Sequence, residues 1–364
     1  MRPSVAVLTY TPSPYQVELF DAVAALDEID LSVIYLHHRD HERDWTDRER
    51  RHASVPLDGS APTFEKAKAW VRDAGLFVLN YYQDARAGEL LDLRVASRRP
   101  WAFWGERPGY RHPLLGRLLR RWRLRSLHGS RAPIWGIGQW AVNAYRNEFG
   151  HRREYVDLPY FSNLARFQRS GVSASIRPLT FLYSGALIER KGVDLLAGAF
   201  ARLVKTHPHV HLQWLGSGPE EARLRDKLAL CAGNVTFLGF KDWPSLPAVY
   251  HGAHVLCVPS RHDGWALVVP EGLAAGLPVI GTHRTGAALE LVRQGENGWM
   301  IPAGHESALH DAMREAAELT AGRWQAMSQA ASASVSEHDV PWGARRFVEA
   351  VRQAMRAPAV GISS

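Results

Sequence analysis

The sequence predicts an α/β protein built from two doubly wound parallel sheets, and three observations support this fold class. Short apolar runs alternate with amphipathic stretches along the whole chain, as strands and helices do in parallel sheets. The 364 residues are enough for two domains of ordinary size. A small, polar stretch at 170–175 precedes a new strand-like run at 181–183, which predicts a domain boundary between them.

The apolar runs give the order of the elements. In the first half, strands are predicted at residues 5–10, 31–35, 76–79, 101–104 and 134–136. In the second half they are predicted at residues 181–183, 212–215, 235–238, 255–258, 279–282 and 299–301. Helices are expected between strands, for example at 193–205 and 220–231. We therefore expect Rossmann-like domains at 1–172 and 176–340 that face a cleft, with ligands at the carboxyl ends of the strands.

The composition is that of a globular protein, with 46% hydrophobic and 22% charged residues. No apolar run approaches the ~20 residues that cross a bilayer, and the run at 5–8 is too short for a signal peptide. Cys231 and Cys257 lie in apolar surroundings and are predicted to be buried, reduced thiols. These features together predict a cytoplasmic protein.

The net charge of +7 is concentrated in one segment, since ten arginines and a single acid lie between Arg98 and Arg131. Within it, several apolar side chains share one side of a predicted helix: Leu114, Leu115, Leu118, Leu119 and Trp122. We interpret the basic segment 111–131 as a docking site for anionic lipid headgroups on a membrane surface. An ordinary solvated helix and another polyanion are the alternatives, and nucleic acid is disfavoured because no nucleic-acid motif accompanies these cations.

Two glycine-containing loops each follow a predicted strand and precede a predicted helix. The first, at 184–192, contains adjacent cations at Arg190 and Lys191, which before a helix N-terminus suit a nucleotide diphosphate. A tight turn with two solvated cations is the alternative. The second, at 216–220, matches half of a dinucleotide fingerprint, because Glu221 stands in place of the third glycine. NAD binding is therefore disfavoured, and a glycine-lined loop beneath a nucleotide remains open.

The third candidate site is the segment 259–272, which contains two acids. Asp263 lies in a loop after a predicted strand, and Glu271 follows eight positions later at the start of a predicted helix. Two separated carboxylates suit the recognition of a polyhydroxyl ligand, because each accepts several hydrogen bonds. The alternative is that Asp263 caps the helix while Glu271 is solvated.

These segments resemble family 4 of the retaining glycosyltransferases, the glycosyl transferases group 1, which have the GT-B fold. That family carries an acid-x7-Glu motif that opens E-G-F-G and closes E-A-x-A-x-G-x-P-V-I. Residues 263–280 here read D-G-W-A-L-V-V-P-E-G-L-A-A-G-L-P-V-I. Four more segments fall in the family order: F-L-Y-S-G-A-L-I-E-R-K-G-V-D at 181–194, W-L-G-S-G-P-E at 214–220, V-T-F-L-G-F at 235–240 and G-E-N-G-W-M-I-P at 295–302. Before residue 181 the resemblance is one of fold.

The resemblance implies a nucleotide-sugar donor site in the second domain. Lys191 is expected to grip the diphosphate with Arg190 beside it, and backbone groups around Phe240 to meet the base. Glu271 is expected to bind the ribose hydroxyls. Asp263 and the amides of Gly264, Trp265, Ala266 and Leu267 are expected to hold the transferred sugar and phosphate. Gly185 and Gly216 are expected to line the donor site in their loops. A final helix at 342–358 would return to the first domain.

Three positions depart from the family pattern. Ala186 stands where the family has an arginine, and Arg190 is our hypothesis for the replacement charge. Asp263 replaces the commoner glutamate, which shortens the reach to the sugar. Ala266 replaces a glycine and adds a methyl group beside the expected sugar.

The first half has no familiar acceptor motif. Many family members place a histidine after a strand in the middle of this domain, and the comparable position here predicts Glu106 as the acceptor-orienting residue. A surface ion pair between Glu106 and Arg107 or another arginine is the alternative. Tyr81, Tyr82 and Asp84 are further candidates on the acceptor side.

The function implied is transfer of a sugar, with retention, from a UDP- or GDP-type donor to a membrane-associated, lipid-linked saccharide. Catalytic roles are predicted for Asp263, Lys191, Arg190 and Glu106, with no metal and no other cofactor, and the sequence has no Asp-x-Asp pair. An epimerase or hydrolase of nucleotide-sugars is the alternative enzyme. A non-catalytic partner that binds the nucleotide is the alternative outside enzymes.

Overall fold

The computed structural model describes residues 2–38, 49–108, 113–169 and 178–356, without the side chains of residues 113–115 and 117. The chain divides into two compact units. The first unit combines Met1–Phe161 with Val340–Ser364, and the second is Ser162–Asp339. Both are parallel α/β units, so the predicted fold class is confirmed.

Within the described residues, the sheet of the first unit has seven strands in the order β3-β2-β1-β4-β5-β6-β7. The strands are β1 Ser4–Thr9, β2 Asp30–Tyr35, β3 Ala53–Pro56, β4 Leu76–Leu79, β5 Trp101–Gly105, β6 Ile134–Gly136 and β7 Tyr155–Asp157. The helices are α1 Pro14–Ala25, α2 Ala61–Asp73, α3 Ala85–Ala96, α4 Pro113–Arg123, α5 Arg125–His128 and α6 Gln139–Phe149. The order reverses between β1 and β4, which makes the gap between their carboxyl ends the switch point of this sheet.

The sheet of the second unit has six strands among the residues described, in the order β10-β9-β8-β11-β12-β13. The strands are β8 Thr180–Ser184, β9 His211–Leu215, β10 Val235–Gly239, β11 Val255–Val258, β12 Val279–Thr282 and β13 Gly298–Ile301. The helices are α7 Val193–Val204, α8 Glu221–Lys227, α9 Leu246–His251, α10 Val268–Ala274, α11 Gly286–Leu291, α12 Glu306–Ala317 and α13 Ala321–Ala333. Here the switch point lies between β8 and β11.

The last helix, α14 Val340–Arg356, belongs to the first unit, as predicted. Its side chain Phe347 is fully buried, and its ring lies 5.6 Å from Trp135 and 6.1 Å from Phe20 of α1. Aromatic pairs at these separations stabilise the packing beyond the area they bury. The chain therefore returns to the unit in which it began.

The sequence-based boundaries need two corrections. Cys231 has a non-helical backbone, with φ −127° and ψ 28°, so α8 ends at Lys227 and the predicted helix does not extend to 231. Strands β3 and β7 were not predicted, because they are short strands at the sheet edges with few apolar residues. Each of these two edge strands is paired with its single neighbour, β2 or β6, by backbone hydrogen bonds, which do not depend on side-chain polarity.

The predicted domain boundary at 172–176 lies outside the described residues and stays a prediction. Residues 162–169, which we expected in the first domain, pack in the second unit. The ring of Phe167 lies 5.0 Å from that of Tyr250, and Arg169 donates to the backbone oxygens of Tyr250 and Ala253. These contacts hold the segment against α9.

The basic segment forms α4 and α5, and part of its charge is neutralised by neighbouring elements. Arg120 is buried and forms an ion pair with the buried Glu148 of α6 at 2.8 Å. Arg125 pairs with Asp92 at 3.3 Å. The buried Arg120 is therefore not available to an external anion, whereas Arg125 is exposed beside one surface carboxylate, and the sequence did not reveal either contact.

The apolar side of α4 faces solvent. Leu118 and Trp122 are each 65% exposed and Leu119 is 48% exposed, whereas Leu124 and Leu127 are buried. Leu114 and Leu115 lie outside the described side chains. No helix in the described parts of the chain is both long and apolar enough to cross a bilayer. Cys231 and Cys257 are both buried and free, as predicted.

Candidate active site

The candidate donor site lies at the switch point of the second sheet. Strands β8 and β11 are neighbours, with Tyr183 opposite Cys257, so the loops that follow them leave the sheet side by side. Ligands of doubly wound sheets bind at this position, outside the carboxyl ends of the strands. The two loops, residues 185–192 and 259–267, carry most of the residues predicted for the site.

Two glycines allow these loops to approach each other. Gly192 has φ +72°, and a Cβ at this position would lie 2.1 Å from the carbonyl oxygen of Pro259. Gly216 has φ +126°, and its Cβ would lie 2.0 Å from the carbonyl oxygen of Gly185. Both contacts exclude any side chain, so the backbone at the carboxyl edge is packed closely enough to shape a site.

Lys191 and Asp263 form the central pair of the site. Lys191 lies in a 3₁₀ turn, Glu189–Lys191, at the end of the β8 loop, and its Nζ donates a hydrogen bond to Oδ2 of Asp263. Asp263 is held in place by its own backbone: its amide donates to Arg284 O at 2.9 Å, and its carbonyl accepts from Gly286 N at 3.1 Å. The pair therefore joins the β8 and β11 loops across 72 residues of sequence.

Asp263 is ionised in this environment. It is only 8% exposed, and burial by itself would raise its pKa. The charge and hydrogen bond of Lys191, the charge of Arg190 and the amide of Trp265 outweigh burial and lower the pKa below its ordinary value. The site therefore presents an ionised carboxylate next to two cations. Asp263 is not the N-cap of α10. The N-cap residue is Leu267, and no side chain makes a capping hydrogen bond there.

Arg190 lies beside the pair on the exposed side of the turn. Its Nη1 donates to the carbonyl oxygen of His262 at 2.8 Å, which fixes the guanidinium along the β11 loop. A further ion pair in the same place was not predicted: Arg261 binds Asp194 of α7 through both nitrogens, at 2.6 and 2.8 Å. This bidentate pair connects the loop to α7 and so helps to hold Lys191 in position.

The backbone between Asp263 and α10 is strained at one residue. Ala266 has φ +71°, a left-handed conformation that costs an L-residue roughly 1–2 kcal/mol. A glycine at this position would carry no such cost. Trp265 is buried, and its carbonyl accepts a 2.8 Å hydrogen bond from the amide of Ala287. This hydrogen bond from α11 helps to maintain the conformation.

Glu271 is the second acid of the motif, and it is buried rather than solvated, at 2% exposure. Its Oε1 accepts a hydrogen bond from Ser162 Oγ at 2.8 Å, and its Oε2 accepts one from the Tyr250 hydroxyl at 3.4 Å. The same hydroxyl lies 3.0 Å from Ser184 Oγ, at the end of β8. Sequence reasoning missed Ser162 and Tyr250, since neither lies in a recognisable motif.

Phe240 follows β10, two strands away from β8, and its side chain is exposed. The amide of Gly216 donates to the carbonyl oxygen of Gly239 at 2.9 Å, so the loop after β9 is tied to the residue before Phe240. The amide of Gly185 donates to Leu215 O at 2.9 Å. Three neighbouring loops thus form one hydrogen-bonded edge that runs from Gly185 to Phe240.

The acceptor-side candidates lie in the first unit. Glu106 is exposed directly after β5, and its carbonyl oxygen accepts a 2.6 Å hydrogen bond from the Tyr145 hydroxyl. The neighbouring Arg107 guanidinium lies 4.0 Å from the centre of the Trp140 ring. Tyr81 and Tyr82 follow β4, and Asp84 caps α3 by accepting from the amide of Arg86 at 2.8 Å. The roles of Glu106 and these residues stay predictions.

Comparison with known proteins identifies a family over part of the second unit. The family model "Glycosyl transferases group 1" matches residues 178–318. A phosphatidyl-myo-inositol mannosyltransferase of Mycobacterium leprae is 33% identical over 136 residues, which are 37% of this chain and 36% of that protein. The chain thus spans about a third of the length of that relative.

Two solved structures show the same fold over nearly the whole chain. Sucrose-phosphate synthase of Thermosynechococcus elongatus has a TM-score of 0.76 at 19% identity, covering 98% of this chain and 100% of that one. HepE of Anabaena in complex with UDP also has a TM-score of 0.76, at 16% identity, covering 97% of this chain and 100% of that one. At these identities the likeness defines the fold alone. The chain therefore has the GT-B fold of these structures, and its residues 178–318 match the glycosyl transferases group 1 family.

Proposed function

We propose that this protein transfers a sugar from a nucleotide-sugar to a saccharide acceptor. The observation that carries this proposal is the Lys191–Asp263 pair at the switch point of the second sheet, with the buried Glu271 eight residues further on. The complex of Anabaena HepE with UDP supports a nucleotide-sugar as the donor class.

The cations of the site suit the diphosphate of the donor. Transfer builds negative charge on the departing nucleotide diphosphate, and a preorganised cation lowers the free energy of that charge. Lys191 and Arg190 supply two cations at the amino end of α7, whose dipole acts in the same direction. Binding of the diphosphate would draw Lys191 from Asp263 and leave the carboxylate to accept hydrogen bonds from sugar hydroxyls.

Glu271 suits the ribose of the donor. Two hydroxyl donors, Ser162 and Tyr250, already orient its carboxylate, and a carboxylate has about four acceptor positions. A ribose diol presents donors of the same kind. The edge from Gly185 to Phe240 then lies on the side where the base would extend.

We propose that transfer proceeds with retention and needs neither a metal nor another cofactor. The charges of Lys191 and Arg190 would stabilise the leaving diphosphate in place of a metal ion. Exclusion of water from the site when the donor is bound would limit hydrolysis of the donor. Activity in the presence of EDTA tests the metal independence, and the anomeric configuration of the product tests retention.

We further propose that the acceptor is a lipid-linked saccharide at the cytoplasmic face of a membrane, in the synthesis of surface polysaccharides or other glycoconjugates. The exposed Leu118, Leu119 and Trp122, with the exposed cations Arg121 and Arg123, give α4 an apolar and basic surface. Each cation contributes ~1 kcal/mol near an anionic surface. Flotation with vesicles should show binding that rises with anionic lipid and falls with salt.

A matched pair of variants tests this attachment. Trp122→Ala with Leu118→Ala should abolish flotation, whereas Leu230→Ala removes an exposed apolar side chain from the second unit and should leave flotation unchanged. Binding that is indifferent to lipid charge would reject the membrane proposal.

Thermal shifts with UDP, GDP, dTDP and ADP test the donor site. Ligand at ~100 times its dissociation constant adds ~2.7 kcal/mol of stability, so one nucleotide should raise the melting temperature of the wild type. Glu271→Ala should lose most of that rise. Nucleotide release without any acceptor would instead favour an epimerase or hydrolase. Binding without turnover on any acceptor would favour a non-catalytic partner.

A further inference from the structure

The carboxylate of Glu271 is held from two sides by hydroxyl groups of separate segments. Ser162, at the start of the second unit, donates to Oε1 at 2.8 Å, and Tyr250 of α9 donates to Oε2 at 3.4 Å. Ser162 and Tyr250 are fully buried, and Glu271 is 2% exposed. Since each oxygen has its own donor, the carboxylate is restrained from rotating about its terminal bond. The two hydroxyls therefore determine the plane in which Glu271 accepts hydrogen bonds.

A third hydroxyl extends this network to the carboxyl end of β8. The Tyr250 hydroxyl lies 3.0 Å from Oγ of Ser184, the last residue of that strand. A phenol has one proton and donates it to one partner at a time. The carboxylate of Glu271 is the stronger acceptor, because hydrogen bonds to a charged group are stronger than those between neutral groups. The Ser184 hydroxyl then donates to the phenol oxygen, and the order of donation is Ser184 to Tyr250 to Glu271.

Tyr250 is fixed in place and remains a donor. Burial, followed by the charge of Glu271, raises the pKa of Tyr250 well above its usual value, so the phenol keeps its proton. Its ring lies 5.0 Å from that of Phe167, and its carbonyl oxygen accepts from Arg169 at 3.0 Å. The ring of His251 also bonds to the carbonyl oxygen of Phe167, at 2.8 Å. The segment that carries Ser162 and the helix that carries Tyr250 are thus fastened to each other.

The orientation of this carboxylate matters for the recognition of a diol. A carboxylate that accepts from two adjacent hydroxyls must present both of its oxygens in one plane. A rotating carboxylate loses that freedom when the ligand binds, whereas one that is already fixed does not. A site shaped for a hydroxyl also rejects an analogue without it, because a buried polar group then loses a partner.

We propose that Tyr250, with Ser184 behind it, is the positioning residue through which Glu271 selects ribonucleotide donors over 2′-deoxyribonucleotide donors. The donor is then a sugar linked to a ribonucleoside diphosphate, and not one linked to thymidine diphosphate, whose pentose lacks the 2′-hydroxyl. This inference rests on the proposed function, in which Glu271 binds the ribose. It adds the residue that orients this carboxylate for binding and the class of nucleotide that the site accepts.

Calorimetric titration of the full chain tests the inference with matched nucleotides. The probes are UDP, GDP and ADP, each compared with its 2′-deoxy counterpart, and dTDP. The wild type should bind one ribonucleotide about tenfold more tightly than its 2′-deoxy counterpart. Tyr250→Phe removes the hydroxyl and keeps the ring against Phe167, and it should reduce this ratio of affinities to less than about threefold.

Three further variants separate positioning from a structural role. Tyr183→Phe is the matched control and should keep the ratio, because Tyr183 is also a buried tyrosine but donates to the carbonyl oxygen of Ala186 at 2.7 Å. A positioning residue acts only through Glu271, so Tyr250→Phe should change the ratio no further when Glu271→Ala is already present. Ser184→Ala alters a half-buried position outside the core and should lower the ratio to an intermediate value.

An unchanged ratio in Tyr250→Phe, at a melting temperature equal to that of the wild type, would overturn the inference. If Tyr250→Phe is unfolded, an unchanged ratio in Ser184→Ala does the same. Tighter binding of dTDP than of any ribonucleotide, or a further loss of selectivity on the Glu271→Ala background, also counts against it. Ribonucleotide selectivity that no variant changes leaves the donor site standing and removes the positioning role alone. Failure of the wild type to bind any nucleotide would overturn the proposed donor site itself.

Discussion

The Nζ of Lys191 donates a hydrogen bond to Oδ2 of Asp263, although the two residues are 72 positions apart in the sequence. The contact exists because the parallel neighbours β8 and β11 end side by side, and each is followed by a loop that turns toward the other. Both side chains are largely buried, at 21% and 11% exposure. A lysine and an aspartate in such a position stabilise each other only as a pair.

Removal of Lys191 should therefore destabilise the protein in the absence of ligand. Lys191→Ala leaves a buried carboxylate that has lost its main partner, and we expect a loss of roughly 1–3 kcal/mol in the free energy of unfolding at pH 7. Urea denaturation measures the loss. The control Lys227→Ala removes a more exposed lysine, paired to Glu306 at 3.8 Å, and should change stability by less than about 1 kcal/mol.

The same variant has a predicted pH dependence. The pKa of Asp263 is lowered from 3.8 in the fold, so its ionised form contributes stability above pH 3.8. That contribution is lost as the pH falls through the lowered pKa. The difference between wild type and Lys191→Ala should consequently shrink in acid, and a difference that is constant from pH 7 to pH 3 would contradict this account.

Arg190 should contribute to donor binding about as much as Lys191. Its guanidinium donates to the carbonyl oxygen of His262 in the β11 loop, and our hypothesis is that it supplies the charge that Ala186 does not. Arg190→Ala and Lys191→Ala should each weaken binding of the nucleotide-sugar about tenfold or more in a titration. Full affinity in the Arg190 variant would show that its charge does not reach the diphosphate.

Ala266→Gly should stabilise the protein. The left-handed φ of +71° is strained for alanine and free of strain for glycine. After allowance for the greater flexibility of glycine in the unfolded chain, we expect a gain of roughly 0.5–1 kcal/mol. Ala186→Gly is the matched control, because Ala186 is another alanine of the site without positive φ, and it should lose stability instead. Equal effects of the two substitutions in thermal denaturation would argue against strain at Ala266.

The ion pair of Arg120 and Glu148 should hold α4 to the first unit. Both side chains are less than a tenth exposed, so removal of one leaves a buried charge, and Arg120→Ala should cost roughly 3–5 kcal/mol. Arg121→Ala, on the exposed side of the same helix, should cost less than about 0.5 kcal/mol. A combined Arg120→Met and Glu148→Met variant should recover much of the loss in a urea titration, since it leaves no unpaired charge.

Asp157→Asn should stabilise the protein above neutral pH. Burial raises the pKa of Asp157 from 3.8 to about 6 against the opposing charge of Arg346, and its Oδ1 has no hydrogen-bond donor within the described structure. Ionisation of this group therefore destabilises the folded state. The destabilisation begins above pH 3.8 and is complete above about pH 6. Asparagine avoids that cost, so its advantage of roughly 1–3 kcal/mol at pH 8 should vanish near pH 4. Melting temperatures across this range measure it.

Much of the fold was predictable from the sequence because strands inside a parallel sheet are buried on both faces and appear as continuous apolar runs. Residues 76–79 and 255–258 are of this kind, and both are fully buried strands. The edge strand β3, with the sequence A-S-V-P, lacks such a run and was missed. Its pairing with β2 depends on backbone groups, whose hydrogen bonding is independent of the side chains.

The candidate site, like the fold, was predictable from the sequence only in part. The sequence alone determined the order of strands and loops, the two acids eight residues apart, the cations after β8 and the resemblance to the family, because these are local patterns. Only the tertiary structure decided that Lys191 bonds to Asp263, that Ser162 and Tyr250 orient Glu271, and that Tyr10 packs against both His37 and Tyr81. Each of these contacts joins residues from separate loops or helices, and the order of strands in a sheet, which no local pattern encodes, determines which of these segments are neighbours.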